Sequence, residues 1–269
     1  MLNPSAAAQV LVVAPTTATL TDKLTRDICA LAERAIGARG VFTIALSGGS
    51  LPKMLSGLAT AEGVEWDKWH VFLCDERCVP ESDPESSMAT IRALLLSKVP
   101  IPASHVHAMA QGVPPEEAAA QYEAQLRALF GGDAPVPRFD ALMLGCGPDG
   151  HTASLFPGHA LLGERARWVA HLTDSPKPPP ARITLTLPVI RAARVVAFVA
   201  TGDGKAALLR RVFAAPEGRG LEVVEDAALP CTLAKPSSGQ LVWYLDSAAA
   251  QALPMDVMDL AASLHGSLW

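Results

Sequence analysis

The stretch "ALMLGCGPDGH", residues 141–151, joins a short apolar run to a glycine-rich turn. Four consecutive apolar residues, Ala141–Leu144, predict a buried strand, and the glycines directly after them predict a sharp turn at its carboxyl end. The turn carries two chemically active side chains, Asp149 and His151. A buried strand that ends in such a turn is typical of α/β proteins, in which ligands bind beyond the carboxyl ends of parallel strands.

The rest of the chain repeats this alternation of apolar runs and helical stretches, which predicts an α/β fold on a mainly parallel sheet. No repeat or low-complexity linker divides the chain, so we interpret residues 1–269 as a single domain. The proline-rich "SPKPPPAR", residues 175–182, is interpreted as a rigid loop between two elements. The predicted strands are Val10–Val13, Val41–Leu46, His70–Cys74, Ala141–Leu144, Trp168–Leu172, Ile183–Leu187, Val195–Ala200 and Leu241–Leu245. The predicted helices are Leu20–Ile36, Pro52–Ala59, Glu85–Ser97, Pro115–Phe130 and Lys205–Phe213.

The glycines of the turn have the Gly-x-Gly-x-x-Gly spacing of a dinucleotide-binding loop. Two residues argue against that interpretation: Asp149 would place a carboxylate where a pyrophosphate should bind, and Pro157 would interrupt the helix that follows such a loop. A histidine in a glycine-rich loop beside a carboxylate is typical of an oriented general base. We therefore interpret His151 as a base, with a pKa near its ordinary value, and Asp149 as a residue that orients His151 or a sugar hydroxyl.

Composition limits the class of protein. The 269 residues are 50% hydrophobic, which is enough for a large core, and no apolar stretch approaches the ~20 residues of a membrane span. A net charge of −5 argues against nucleic acid as a partner. Five cysteines without regular spacing are typical of a reducing compartment, so we expect a cytoplasmic protein. No His-Glu-x-x-His motif occurs, and we expect no metal ion.

Chemically active residues follow four of the predicted strands, in "SGGSLPK" (47–53), "DERCVP" (75–80), "GCGPDGH" (145–151) and "TGDGK" (201–205). Because the carboxyl ends of parallel strands share one edge, we expect them to form one site. The glycines and hydroxyls of the first, together with a helix beginning near Pro52, are suited to a phosphate group. Arg77 has a guanidinium fork that suits a phosphate or a developing oxyanion, whereas Glu76 is expected to face water or to form an ion pair.

The stretches "LSGGSLPK", "CDERCVP", "LGCGPDGHTASLFPG" and "KPPPARITLTLPVI" together resemble the 6-phosphogluconolactonase family, in the same order and over most of the chain. The resemblance implies a modified Rossmann-like, three-layer fold shared with the glucosamine-6-phosphate deaminases. It also implies hydrolysis of 6-phospho-D-glucono-1,5-lactone to 6-phospho-D-gluconate, the second step of the oxidative pentose phosphate pathway, without a cofactor. The expected partner is this small sugar-phosphate lactone, and we expect a monomer or a weak homodimer.

The resemblance and the residues together give the candidate site. The candidate catalytic residues are His151, Asp149 and Arg77, although the sequence leaves open whether Arg77 contacts the phosphate or the lactone carbonyl. For the cations of the proline-rich loop, surface solubility is the simpler alternative. The candidate substrate- or phosphate-binding residues are Ser47, Gly48, Gly49, Ser50, Asp75, Lys177, Arg182 and Lys205.

Two alternative functions use the same fold. An amino-sugar-phosphate deaminase or isomerase would be expected to carry an acid shortly after the histidine, and "TASLFPG" has none. A non-catalytic sugar-phosphate sensor would have no need for His151 beside Asp149.

Overall fold

A computed structural model of the chain describes residues 8–132, 134–214, 221–261 and 268. Strands and helices alternate along much of it. The strands are β1 (Ala8–Ala14), β2 (Phe42–Leu46), β3 (Trp69–Leu73), β4 (Asp75–Arg77), β5 (Ala141–Leu144), β6 (Val169–Leu172), β7 (Arg182–Leu185), β8 (Val195–Ala200), β9 (Phe213–Ala214), β10 (Glu222–Val223) and β11 (Gln240–Asp246). The α-helices are α1 (Thr17–Arg39), α2 (Leu51–Met54), α3 (Ser87–Leu94), α4 (Pro115–Phe130), α5 (Leu187–Ala192), α6 (Ala206–Val212), α7 (Pro230–Leu233), α8 (Ser247–Ala250) and α9 (Met255–Met258).

Six strands form one sheet in the order β1-β11-β8-β5-β2-β3, and every neighbouring pair in it is parallel. β2, β5 and β8 are buried along their whole length. Burial on both faces explains why these strands, apart from Thr43 in β2, are continuous apolar runs without alternating polar residues. The predicted α/β class with a mainly parallel sheet is confirmed.

The chain changes direction across this sheet between β2 and β5. After β2 it moves outward to β3, whereas after β5 it moves the opposite way, to β8 and then β11. The loops that follow these two neighbouring strands therefore diverge and leave a crevice between them, which is where open parallel sheets bind ligands.

A second, antiparallel sheet has the order β4-β7-β6. The predicted strands over Trp168–Leu172 and Ile183–Leu187 exist as β6 and β7, but they pair with each other and with β4 outside the parallel sheet. The connection between them, residues 173–181, is too short for the crossover that a parallel pair requires. β7 ends at Leu185 because Pro188 lies in the first turn of α5.

Capping residues set the length of α1, which is longer than the predicted Leu20–Ile36. Thr16 and Thr19 form a reciprocal capping box at its start, and Gly40 ends it with a left-handed φ of 74°. α2 is shorter than the predicted Pro52–Ala59, since it ends at Met54 and continues as a 3₁₀ turn over Ser56–Thr60. None of the helices formed by the described residues has both the length and the apolarity needed to span a membrane.

Candidate active site

A cavity of about 250 Å³ opens in the crevice at the carboxyl edge of the parallel sheet. Loops that follow β2, β5 and β8 form part of its wall, together with strands β4 and β7 of the antiparallel sheet, the loop before β7 and the start of α3. Asp149 lies behind His151, whereas all the other candidate residues line the cavity. These lining candidates are Ser47, Gly48, Gly49, Ser50, Asp75, Arg77, His151, Lys177, Arg182 and Lys205.

His151 is held from one side of its ring. Its Nδ1 lies 2.6 Å from Oδ1 of Asp149, and Nζ of Lys177 lies 3.4 Å from the same carboxylate oxygen and 3.2 Å from Nδ1. An ionised carboxylate only accepts hydrogen bonds, so Nδ1 carries the hydrogen of the neutral imidazole. Nε2 makes no hydrogen bond with any described residue, and it is therefore the nitrogen that can accept a proton.

The surroundings of His151 favour its neutral, basic form. Burial lowers its pKa below the ordinary value of 6.5, and the charge of Lys177 acts in the same direction, while Asp149 partly opposes both. The expected pKa near the ordinary value is therefore corrected downward. Partial burial acts to raise the pKa of Asp149, but the hydrogen bond from His151 and the charge of Lys177 outweigh it and leave that pKa below its usual value.

Gly147 is required for this arrangement. A Cβ atom at this position would collide with the imidazole of His151 and with the carboxylate of Asp149. The backbone N–H of Gly147 donates to the carbonyl of His151 at 2.9 Å, and that of Gly150 donates to the carbonyl of Gly147 at 2.9 Å. These two bonds close the turn that places His151 against Asp149.

The loop after β2 presents unused hydrogen-bond donors to the cavity. The backbone N–H groups of Gly48, Gly49 and Ser50 have no acceptor within the described part of the chain, and Gly49 adopts a left-handed φ of 70°. Successive N–H groups in such a turn form a concave anion site. α2 has only four residues, so the expected contribution of its helix dipole to anion binding is small. The N–H groups themselves would bind the anion.

Two hydroxyls add to this wall. Those of Ser47 and Ser87 are buried without a hydrogen-bond partner among the described residues. Ser87, at the start of α3, packs so closely on Gly48 that a side chain at position 48 would collide with it. Buried, unpaired hydroxyls are costly, and a bound anion would satisfy them.

Arg77 and Arg182 stand directly opposite each other on β4 and β7. Burial lowers the pKa of Arg182, and the positive charge of Arg77 lowers it further. Like charges opposite each other destabilise a strand pair, so this pairing indicates an anionic ligand between them.

The two guanidinium groups differ in how firmly they are held. Arg182 donates to the carbonyls of Lys177, Pro178 and Pro179 at 3.0 Å each and so fixes the proline-rich loop. Nη1 of Arg77 donates hydrogen bonds to the backbone carbonyl and to the carboxylate of Glu85. The buried Nε of Arg77 has no hydrogen-bond partner in the described residues. Arg77 is thus the arginine with more free donors.

Asp75 is buried at the start of β4 and accepts a hydrogen bond of 2.8 Å from Oγ of Ser154. A carboxylate repels phosphate, so its place in the cavity suits a sugar hydroxyl, which can donate to it. Lys205 reaches across from the turn after β8 and donates to the carbonyl of Cys146 at 2.7 Å. That bond brings its ammonium group to the loop that carries His151.

Glu76 differs from its prediction. It is 2% exposed, and its carboxylate accepts from the backbone N–H groups of Arg77, Ser87 and Met88 at 2.7–2.9 Å. Burial raises its pKa, and these N–H donors oppose the rise. Glu76 therefore neither faces water nor pairs with a cation; it anchors the start of α3 against β4.

Ala153 was not predicted as a site residue, because no motif in the sequence marks it. It lines the cavity in a left-handed conformation with φ 47°, which is strained for a residue with a side chain. Reciprocal backbone hydrogen bonds between Thr152 and Leu155 close the turn around it. Ser87 was also missed, because it follows no predicted strand.

No group of three or more His, Cys, Asp or Glu side chains within the described residues is arranged to hold a metal ion. The expectation that no metal takes part remains a prediction, to be tested by chelation.

Comparison with known proteins identifies relatives over most of the chain. The family model described as "Glucosamine-6-phosphate isomerases/6-phosphogluconolactonase" matches residues 15–243. The 6-phosphogluconolactonase of Homo sapiens is 49% identical over 233 residues, which cover 85% of each chain. A solved structure of 6-phosphogluconolactonase from Thermotoga maritima has a TM-score of 0.75 at 27% identity and covers 88% of this chain and 99% of that one. A monomeric glucosamine-6-phosphate deaminase shares the fold alone, with a TM-score of 0.70 at 17% identity over 90% of this chain and 99% of its own.

Proposed function

The chain belongs to the glucosamine-6-phosphate isomerase/6-phosphogluconolactonase family, and from this premise we infer that it is a 6-phosphogluconolactonase. It hydrolyses 6-phospho-D-glucono-1,5-lactone to 6-phospho-D-gluconate, in the oxidative pentose phosphate pathway. We propose His151 as the general base of this reaction. The observation that carries this proposal is the 2.6 Å bond from Nδ1 to Asp149, which leaves Nε2 free beside the cavity.

A δ-lactone is an activated ester, so the enzyme has only to position it, deprotonate a water molecule and stabilise an oxyanion. Nε2 of His151 accepts a proton as the water oxygen bonds to the lactone carbonyl carbon. When the carbon–oxygen bond of the ring breaks, the imidazolium returns the proton to the departing ring oxygen. The products are a carboxylate, a hydroxyl group and one released proton, and no covalent enzyme intermediate forms.

The phosphate is assigned to the wall formed by residues 47–50, Ser87 and Arg77. Nη1 of Arg77 donates to the carbonyl of Glu85, two residues before Ser87. We therefore place Arg77 on the phosphate, together with Ser87, and not on the lactone carbonyl. Arg182 positions the loop of Lys177, and Asp75 accepts from a sugar hydroxyl.

Two further assignments concern location and assembly. We propose a cytoplasmic location because all five cysteines are free thiols, which is typical of a reducing compartment. We also propose a single domain that acts as a monomer or a weak homodimer, since one chain supplies every group of the proposed mechanism.

The decisive assay follows hydrolysis of freshly prepared phosphogluconolactone, corrected for spontaneous opening. We expect His151→Ala to lower kcat by ~10²–10⁴-fold, the usual contribution of a positioned base. His159→Ala is the matched control, because His159 also pairs with a carboxylate, that of Asp174 at 3.1 Å, but does not line the cavity. Equal loss in the two variants, or near-normal kcat in folded His151→Ala, would exclude His151 as the base.

A further inference from the structure

A second cavity, of about 440 Å³, lies at the opposite edge of the parallel sheet. Ala8, Val195 and Gln240, at the starts of β1, β8 and β11, line it together with the last two turns of α1. It is therefore separated from the active site by the length of the strands. We call it the arginine cavity, because Arg34, Arg39 and Arg194 all line it.

The arginine cavity contains more positive charge than its carboxylate can neutralise. Asp140 is the acidic side chain that lines it, and both of its oxygens are occupied. Oδ1 accepts from Arg39 at 2.6 Å and lies 3.3 Å from Nε of Arg194, while Oδ2 accepts from the backbone N–H and the hydroxyl of Thr43 at 2.9 Å each. Asp140 thus joins α1 to the start of β2 and has no capacity left for further cations.

The remaining guanidinium groups have free donors. Arg34 forms no ion pair with any described residue. Nε of Arg194 is buried, and its approach to Asp140 does not have the geometry of a hydrogen bond. A fourth arginine, Arg138, makes hydrogen bonds of 3.5 Å to Ser238 and to no other described residue.

The arginines also repel one another. Burial lowers the pKa of Arg194, and the charges of Arg39 and Arg138 lower it further, against the opposing effect of Asp140. The chain as a whole has a net charge of −5, so a cluster of positively charged side chains at this edge does not follow from its overall composition. A bound anion would relieve the repulsion and use the free donors.

An apolar surface adjoins these cations. Leu31, Ala35 and Ala38 project from α1 into the cavity beside Ala8 and Val195. Such a surface suits a ligand that has an uncharged body in addition to its anionic group.

We propose that the arginine cavity binds a small phosphate ester, with the phosphate on Arg34, Arg39 and Arg194 and the uncharged body against the apolar residues of α1. The site is separate from the one that binds the lactone, and none of its residues takes part in hydrolysis. Phosphate is favoured over a single carboxylate because three guanidinium groups line the cavity, Arg34 and Arg39 from α1 and Arg194 from the residue before β8, and a phosphate offers three terminal oxygens to them.

Isothermal titration calorimetry with adenosine diphosphate tests the proposal, and the Arg77→Gln variant shows whether the active site contributes to the binding. Adenosine alone probes the contacts of the uncharged part of the ligand, and pyrophosphate alone probes the contacts of its phosphate groups. We expect saturable binding that is tighter for adenosine diphosphate than for either part and that weakens as ionic strength rises. Arg34→Gln and Arg194→Gln should each weaken it by about tenfold, the effect of losing one charged hydrogen bond.

Matched variants locate the site. Arg210→Gln removes the same charge from the exposed face of α6, and Arg77→Gln removes it from the active site; both should retain full affinity for adenosine diphosphate. Lactonase activity should be unchanged in Arg34→Gln and Arg194→Gln, which also shows that they are folded. Absence of saturable binding, or binding that Arg34→Gln and Arg194→Gln leave intact, would overturn the proposal. Equal affinity for pyrophosphate and adenosine diphosphate would overturn the role given to the apolar residues.

Discussion

The pH dependence of hydrolysis should respond in opposite directions to the removal of two charges beside His151. Asp149 raises the pKa of His151, and Lys177 lowers it. In Asp149→Asn the imidazole loses its anionic partner, so its pKa falls and the acid limb of the kcat profile moves to lower pH. In Lys177→Met the repelling cation is gone, so the pKa rises and the limb moves to higher pH. Protonated imidazole cannot accept the proton of water, which fixes the sign of both shifts.

The two variants should also differ in rate. Asp149 contacts Nδ1 at 2.6 Å and selects the tautomer with a free Nε2, so its loss removes both orientation and tautomer control. We expect Asp149→Asn to lower kcat by ~10²-fold at the pH optimum, equivalent to ~2.7 kcal/mol of transition-state stabilisation. The side chain of Lys177 is 41% exposed and is assigned to substrate binding, so Lys177→Met should raise KM by about tenfold.

Initial rates between about pH 4 and about pH 8, corrected for spontaneous opening, measure both effects. Asp174→Asn removes the carboxylate from the other histidine–carboxylate pair and should leave the profile unchanged. If Asp149→Asn and Lys177→Met displace the acid limb in the same direction, or if neither displaces it, His151 is not the group that titrates.

Three further predictions concern the substrate, metal and stability. Glucono-1,5-lactone should have a kcat/KM at least ~10²-fold below that of the phosphorylated lactone, because each charged hydrogen bond to phosphate contributes ~1.5–3 kcal/mol; equal values would remove the phosphate assignment. Activity should survive exhaustive chelation, and loss with EDTA that zinc restores would contradict the metal-free mechanism. Lys23 and Asp27 form a buried pair with side chains 2% exposed, so Lys23→Met should lower the free energy of unfolding by ~3–5 kcal/mol in urea titrations. A loss below ~1 kcal/mol would show that the remaining bond from Tyr244 satisfies Asp27.

The parallel sheet and the position of its crevice followed from sequence because both depend on local patterns. Buried parallel strands are continuous apolar runs, and the residues that end them share one edge. This rule placed Ser47, Asp75, Gly147 and Lys205 around one cavity although they are far apart in the chain. Which neighbour each strand would have was not predictable in this way, since strand order depends on long-range packing.

The antiparallel sheet shows where local patterns fail. β4 has three residues, all charged, and resembles a loop. It is a strand because all three of its residues pair with residues 182–184 of β7 and because Glu76 turns inward to the N–H groups of α3. Both interactions join segments that are distant in sequence, so neither the burial of Glu76 nor the opposition of the two arginines could be inferred from their neighbours.

The two sheets contribute different groups to the active site. The rigid parallel sheet places the loops of Ser47 and His151 on neighbouring strands, and the backbone bond from Ser47 to Met143 at 3.0 Å links those loops where the strands end. The antiparallel sheet brings Arg77 and Arg182, and the loop between β6 and β7 carries Lys177 to within 3.2 Å of Nδ1 of His151. The cation that helps to lower the pKa of His151 and the carboxylate that holds its ring therefore belong to different sheets. A shift of one sheet against the other would change the distance from Lys177 to His151 while leaving the bond to Asp149 intact, because Asp149 and His151 share one turn.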